Sequence, residues 1–71
     1  MKYYKDNNDL HTYPLFRVSK IGETDRIQFY QTIYNRWVLQ GTGHDNISVD
    51  DYIKKYKLTE ISYEDVVLEL I

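Results

Sequence analysis

From Lys2 to Gln40 apolar and polar side chains tend to alternate, whereas from Ile47 onward apolar ones recur three and four residues apart. The first period belongs to half-buried strands and the second to amphipathic helices. Strands are predicted over residues 2–5, 13–21, 26–31 and 36–40. Within them Phe16 and Val18 share one face, with Leu15 and Arg17 on the other. Ile27 and Phe29 likewise oppose Gln28 and Tyr30, and Trp37 pairs with Leu39.

Turn residues separate these runs. Asp6-Asn7-Asn8-Asp9, Gly22-Glu23-Thr24-Asp25 and the stretch 32–35 are rich in side chains that tolerate or cap tight turns. Asn35 suits a left-handed backbone position. Pro14 donates no hydrogen bond to a ladder and belongs at a strand start or on an edge. Connections this short imply antiparallel neighbours in a meander.

The helical part carries a repeat, Ile47-Ser48-Val49-Asp50-Asp51 and Ile61-Ser62-Tyr63-Glu64-Asp65. Each serine is placed as an N-cap with aspartate at N3, a capping box with Asp in the usual Glu position. Ile47 with Tyr52, and Ile61 with Val66, have the spacing of hydrophobic staples. Helices are predicted over 49–56 and 63–71, with Val49, Tyr52, Ile53 and Tyr56 on one stripe. Tyr63, Val66, Val67, Leu70 and Ile71 form the other, and Leu68 lies off it. The stretch 57–61 fits either a loop or one more short strand. The fold class is α+β: a three- to four-stranded antiparallel meander followed by two short helices, one small domain over residues 1–71.

Composition adds an aromatic bias and removes several chemistries. The chain has 71 residues with eight tyrosines, two phenylalanines and one tryptophan. Those rings can fill a small core, or they can form a contact surface. No cysteine is present, so no disulfide or thiolate metal site exists. Net charge is −2, with residues 1–40 carrying six bases against four acids and residues 57–71 one base against four acids. That is far from the bias of a typical nucleic-acid binder. The first residues lack the apolar run of a signal peptide, and no stretch approaches a membrane span. A cytoplasmic protein without membrane contact is expected.

Catalytic and ligand-binding motifs give little. Gly41-Thr42-Gly43 precedes a helix start, but Asp45, Asp50 and Asp51 would repel a phosphate there and no lysine closes the loop. His11 and His44 lack partners at metal-ligand spacing and read as solvated loop residues. Ser48 and Ser62 read as caps rather than nucleophiles. No catalytic residue, metal or cofactor is therefore expected, and the chain reads as a non-enzymatic protein. What remains is an interleaving of rings and bases. Tyr3, Tyr4, Arg17, Tyr30, Tyr34, Arg36 and Trp37, with the off-stripe Leu68, make up the candidate interaction surface. It suits a protein partner or a second copy of the chain, and alternatively the stacking of single-stranded nucleic acid.

Four short motifs carry a resemblance: Lys2-Tyr3-Tyr4-Lys5, Leu15-Phe16-Arg17-Val18, Arg36-Trp37-Val38 and Ile61-Ser62-Tyr63-Glu64-Asp65. Together they make the chain similar to short proteins of Gram-positive bacteria and their phages, in which a tyrosine-rich meander precedes an Ile-Ser-Glu-Glu type helix. The capped helix after Ser48 departs from that pattern. The resemblance implies a bacterial or mobile-element setting, and by analogy a modulator or inhibitor of a host protein.

Overall fold

A computed structural model describes residues 1–40 and 47–71. Five strands form one antiparallel sheet: β1 (Lys2–Lys5), β2 (Leu15–Ile21), β3 (Thr24–Gln31), β4 (Arg36–Leu39) and β5 (Thr59–Ile61). Two helices, α1 (Val49–Lys55) and α2 (Tyr63–Leu70), flank β5 in sequence. The α+β meander is as the residue pattern predicts, but the sheet gains a fifth strand from within 57–61.

Spatial order is β4-β3-β2-β1-β5. The first four strands follow one another through short connections. Ile21 pairs with Thr24, leaving Gly22-Glu23 as a two-residue hairpin. Gly22 has φ +66, at the position where a type II′ turn needs a glycine. Asn35, with φ 51, closes the β3–β4 turn as its sequence suggested. Pro14 falls just before β2, and its carbonyl accepts the Asp6 N–H at 2.8 Å. The β4–β5 connection is different. It runs from one edge of the sheet to the other, about 19 Å at ~4.8 Å per strand, and α1 is carried across on the way.

Alternation sorts the side chains onto two faces, one under each helix. Tyr4, Phe16 and Ile27 form a buried cluster with Tyr52 of α1 and Leu58, flanked by Val18, Phe29, Ile47, Val49, Ile53 and Tyr56. Tyr3 and Lys5 point the other way, and there Tyr3 meets Tyr63 while Lys5 pairs with Glu69, both on α2. Leu15 and Val66 are buried outside the α1 cluster, as expected of the second face. The molecule is thus three layers deep, helix on sheet on helix, and each helix covers part of one face.

Both helices start where the repeat places them. Ser62 Oγ accepts the Asp65 N–H at 3.1 Å and Asp65 Oδ2 accepts the Ser62 N–H at 3.3 Å, a complete capping box. At α1 the serine half is formed, with Ser48 Oγ accepting the Asp51 N–H at 3.1 Å. The end of α1 carries a Schellman motif. Lys57 N–H reaches Lys54 O at 3.2 Å, and Leu58 N–H reaches Ile53 O at 3.0 Å. Lys57 takes the left-handed position, φ 53, where glycine is usual. This reversal sends Leu58 into the core and aims the chain into β5.

Candidate interaction surface

A single lateral row crosses all five strands on the α2 side of the sheet. Its register is Ile61, Tyr3, Arg17, Gln28 and Leu39. Trp37, adjacent on β4, leans over this row. Its ring lies 6.1 Å from that of Tyr3 and 5.1 Å, edge-on, from that of Tyr30. Tyr3 in turn stands 5.6 Å from Tyr63. Four rings from β3, β4, β1 and α2 therefore form one continuous file.

Arg17 is held within it. Its guanidinium stacks 4.5 Å from the Trp37 centroid, its Nε donates to Gln28 Oε1 at 2.6 Å, and Ser19 Oγ donates to the same oxygen at 3.1 Å. A cation on an indole face gains about 0.5–1 kcal/mol where exposed. The arrangement fixes a charged plane and an aromatic plane together, and neither is sealed. Arg17, Gln28, Tyr30 and Trp37 are half-buried, and Leu39 is 50 % exposed. Helix α2 lies over the β1 side of this face, through Tyr63 and Glu69, and buried Leu15 extends the covered part to the start of β2; among the described residues the β3–β4 side carries no helix.

The predicted surface residues do not all meet. Tyr3, Arg17, Tyr30 and Trp37 come together as described. Tyr4 is buried among Phe16, Ile27 and Tyr52 on the α1 side and offers no contact surface. Strand parity accounts for that, since adjacent residues face opposite ways. The same parity puts Arg36 on the face opposite Trp37. There its Nε donates to Gln31 Oε1 at 3.1 Å, and its guanidinium lies 5.2 Å from the Tyr34 ring. Tyr34 and Arg36 thus form a separate exposed patch at the β3–β4 turn. Leu68, 67 % exposed, points outward from α2, away from buried Val66.

One polar cluster escaped the sequence reading. His11 is no solvated loop residue: its Nδ1 lies 2.8 Å from Asp6 Oδ2 and its Nε2 lies 2.7 Å from the Tyr52 hydroxyl. Asp6 is a buried carboxylate that also accepts the Asn8 and Leu10 N–H groups at 2.8 and 2.9 Å. Burial alone would raise its pKa. The Asn8, His11 and Leu10 hydrogen bonds and the nearby imidazole outweigh burial and hold it below the usual value. Tyr52 moves the opposite way, pushed up to about 12 by burial and by its neighbours Tyr56 and Asp6. A phenol held neutral so far above neutrality is no nucleophile at ordinary pH. The Asp6–His11–Tyr52 chain instead ties the 6–14 loop to α1. A cleft of about 410 Å³ opens beside His11, lined also by Tyr13, Phe16 and Phe29. Asp6 and His11 stand five apart inside a turn cluster, a weak signal. Nothing in the spacing pointed to Tyr52.

His44 and the Gly41-Thr42-Gly43 stretch lie outside the described residues. Among the described residues no His, Asp or Glu group is arranged to hold a metal ion, and no helix is long and apolar enough to cross a membrane. Comparison with known proteins finds no matching family model, no matching curated protein and no matching solved structure.

Proposed function

We propose that this chain is a non-enzymatic protein-interaction module that docks its partner on the open β2–β4 side of the sheet. The file of Tyr30, Trp37, Tyr3 and Tyr63, with Arg17 stacked against it, carries this reading. Tyr, Trp and Arg are the residue types that dominate binding energy at protein interfaces. Here they are pre-ordered by strand register and by one another, so little side-chain entropy remains to be lost on docking. The groups that could serve catalysis are engaged elsewhere. Ser48 and Ser62 cap helices, and His11 is held between Asp6 and Tyr52.

Single-stranded nucleic acid is the second reading, favoured by the Arg17–Trp37 stack among α2-side residues of β2–β4 that include no acid. A photocrosslinking amino acid at position 39, irradiated in bacterial cells, separates the two. A protein adduct is expected. A nucleic-acid adduct would transfer the site to the second reading, and the lack of any adduct would remove the docking role from this face.

A further inference from the structure

We infer that the occupant of this face is a second copy of the chain, related by a twofold axis, with α2 of each copy seated on the open β2–β4 face of the other. The inference rests on the protein-docking reading of the same face and names its partner.

Shape comes first. One part of this face is raised by α2 and the part toward β3 and β4 is open sheet among the described residues, so the face forms a step. A step turned through a twofold axis fits its own copy, because the raised half of each meets the low half of the other. The dimensions agree. Eight helical residues span about 12 Å, and a helix is about 10 Å thick. The outer axes of β2 and β4 lie about 10 Å apart. Two α2 helices side by side would then make one layer between two sheets.

Side chains agree as well. The outward edge of α2 carries Glu64, Leu68 and Ile71 at i, i+4 and i+7, all exposed, with Ile71 at 92 %. Opposite them in the twofold arrangement lie Trp37, Leu39, Arg17 and Arg26. Charge supports seating the helix on the sheet. Helix α2 has Glu64, Asp65 and Glu69 and no base. The α2-side residues of β2–β4 include Arg17 and Arg26 and no acid. Asp65 closes the capping box and Glu69 pairs with Lys5, so the acid left outward is Glu64, and seating the helix on the sheet sets it against exposed Arg26.

Sedimentation and light scattering of the whole chain over a range of concentrations test the inference. The expected mass is twice the 8.6 kDa of one chain, with the emission of the single tryptophan moving to the blue as the dimer forms. Leu68→Glu and Glu64→Lys, both at exposed sites, should each raise the dissociation constant about tenfold or more, roughly what losing one good interface contact does. Mixing the Glu64→Lys chain with an Arg26→Glu chain should recover association. A single-chain mass at every concentration overturns the inference, as does a dimer indifferent to Leu68→Glu and to Trp37→Ala. The position-39 adduct keeps the two readings apart. An adduct between two copies supports both, while an adduct of a monomeric chain with a different protein overturns the twofold dimer and leaves protein docking standing.

Discussion

On the α1 side of the sheet, Tyr4, Phe16 and Ile27 lie sealed beneath Tyr52, and the nearby polar atoms are closed into the Asp6–His11–Tyr52 chain. On the α2 side, Tyr3, Trp37 and Tyr30 are just as aromatic but stay half-exposed, with Arg17 laid against them. Both faces use rings and hydrogen bonds. They differ in where the polar ends go. Buried polar groups must find protein partners, so the polar groups of the first face are paired internally. The second keeps its planes and charges at the surface, where a partner can still be added. Aromatic content alone does not distinguish core from contact surface; the fate of the polar groups does.

Truncating one ring on each face would sharpen that comparison most. Phe16→Ala should cost about 4 kcal/mol, the scale for emptying a fully buried aromatic site. Trp37→Ala should cost about 1 kcal/mol, since it loses edge and cation contacts but leaves no sealed cavity. Urea unfolding of the two variants measures the gap, and equal losses would erase the distinction between the faces.

The polar seal is the next place to press. Asp6→Ala leaves the Asn8 and Leu10 N–H groups and the His11 ring without their acceptor, and about 2–3 kcal/mol of stability should go. Because the folded carboxyl titrates below its unfolded value of 3.8, its contribution is complete above that pH and fades as pH falls through the lower folded value. The difference between parent and Asp6→Ala melts should therefore shrink in acid. Tyr52 gives the complementary result in base. Its folded value of about 12 exceeds the unfolded 10.0, so its contribution holds below pH 10 and is lost as pH rises toward 12. Phenolate absorbance should show a tyrosine that ionises last, and a Tyr52→Phe chain should lack it.

Smaller effects test the helix ends. Ser62→Ala should lower stability by about 1 kcal/mol, and Ser48→Ala by a similar or smaller amount, because the box is complete only at Ser62. Melts that match the parent would refute the capping argument. Lys57→Gly relieves a left-handed lysine and should stabilise by a few tenths of a kcal/mol, once the added freedom of the unfolded chain is set against the relief. A loss instead would mean the lysine stem contributes contacts at the α1 terminus.

Much of this was legible in advance for local reasons. Serine at an N-cap, asparagine in a left-handed turn and glycine in a tight hairpin act through their own backbone and the next few residues. Strand alternation does the same for Phe16 against Arg17, and it already held the answer for Tyr4 and Arg36, whose parity separates them from Tyr3 and Trp37. The end of α1 at 56 followed from the apolar stripe, but Lys57 gave no sign of the left-handed turn because the usual glycine is absent. β5 stayed ambiguous because three residues are too few to show a period.

The sequence by itself determined four of the strands, both helix starts and which side chains travel together on each strand, since those depend on interactions a few residues long. Only the tertiary structure decided that the helices take opposite faces, that β5 joins the sheet beside β1, and that His11 meets a tyrosine 41 residues away. Alternation defines two faces but does not say which one a later helix will cover. That choice is made when distant segments bury area together, and it turned half of an aromatic meander into core and left the other half open for contact.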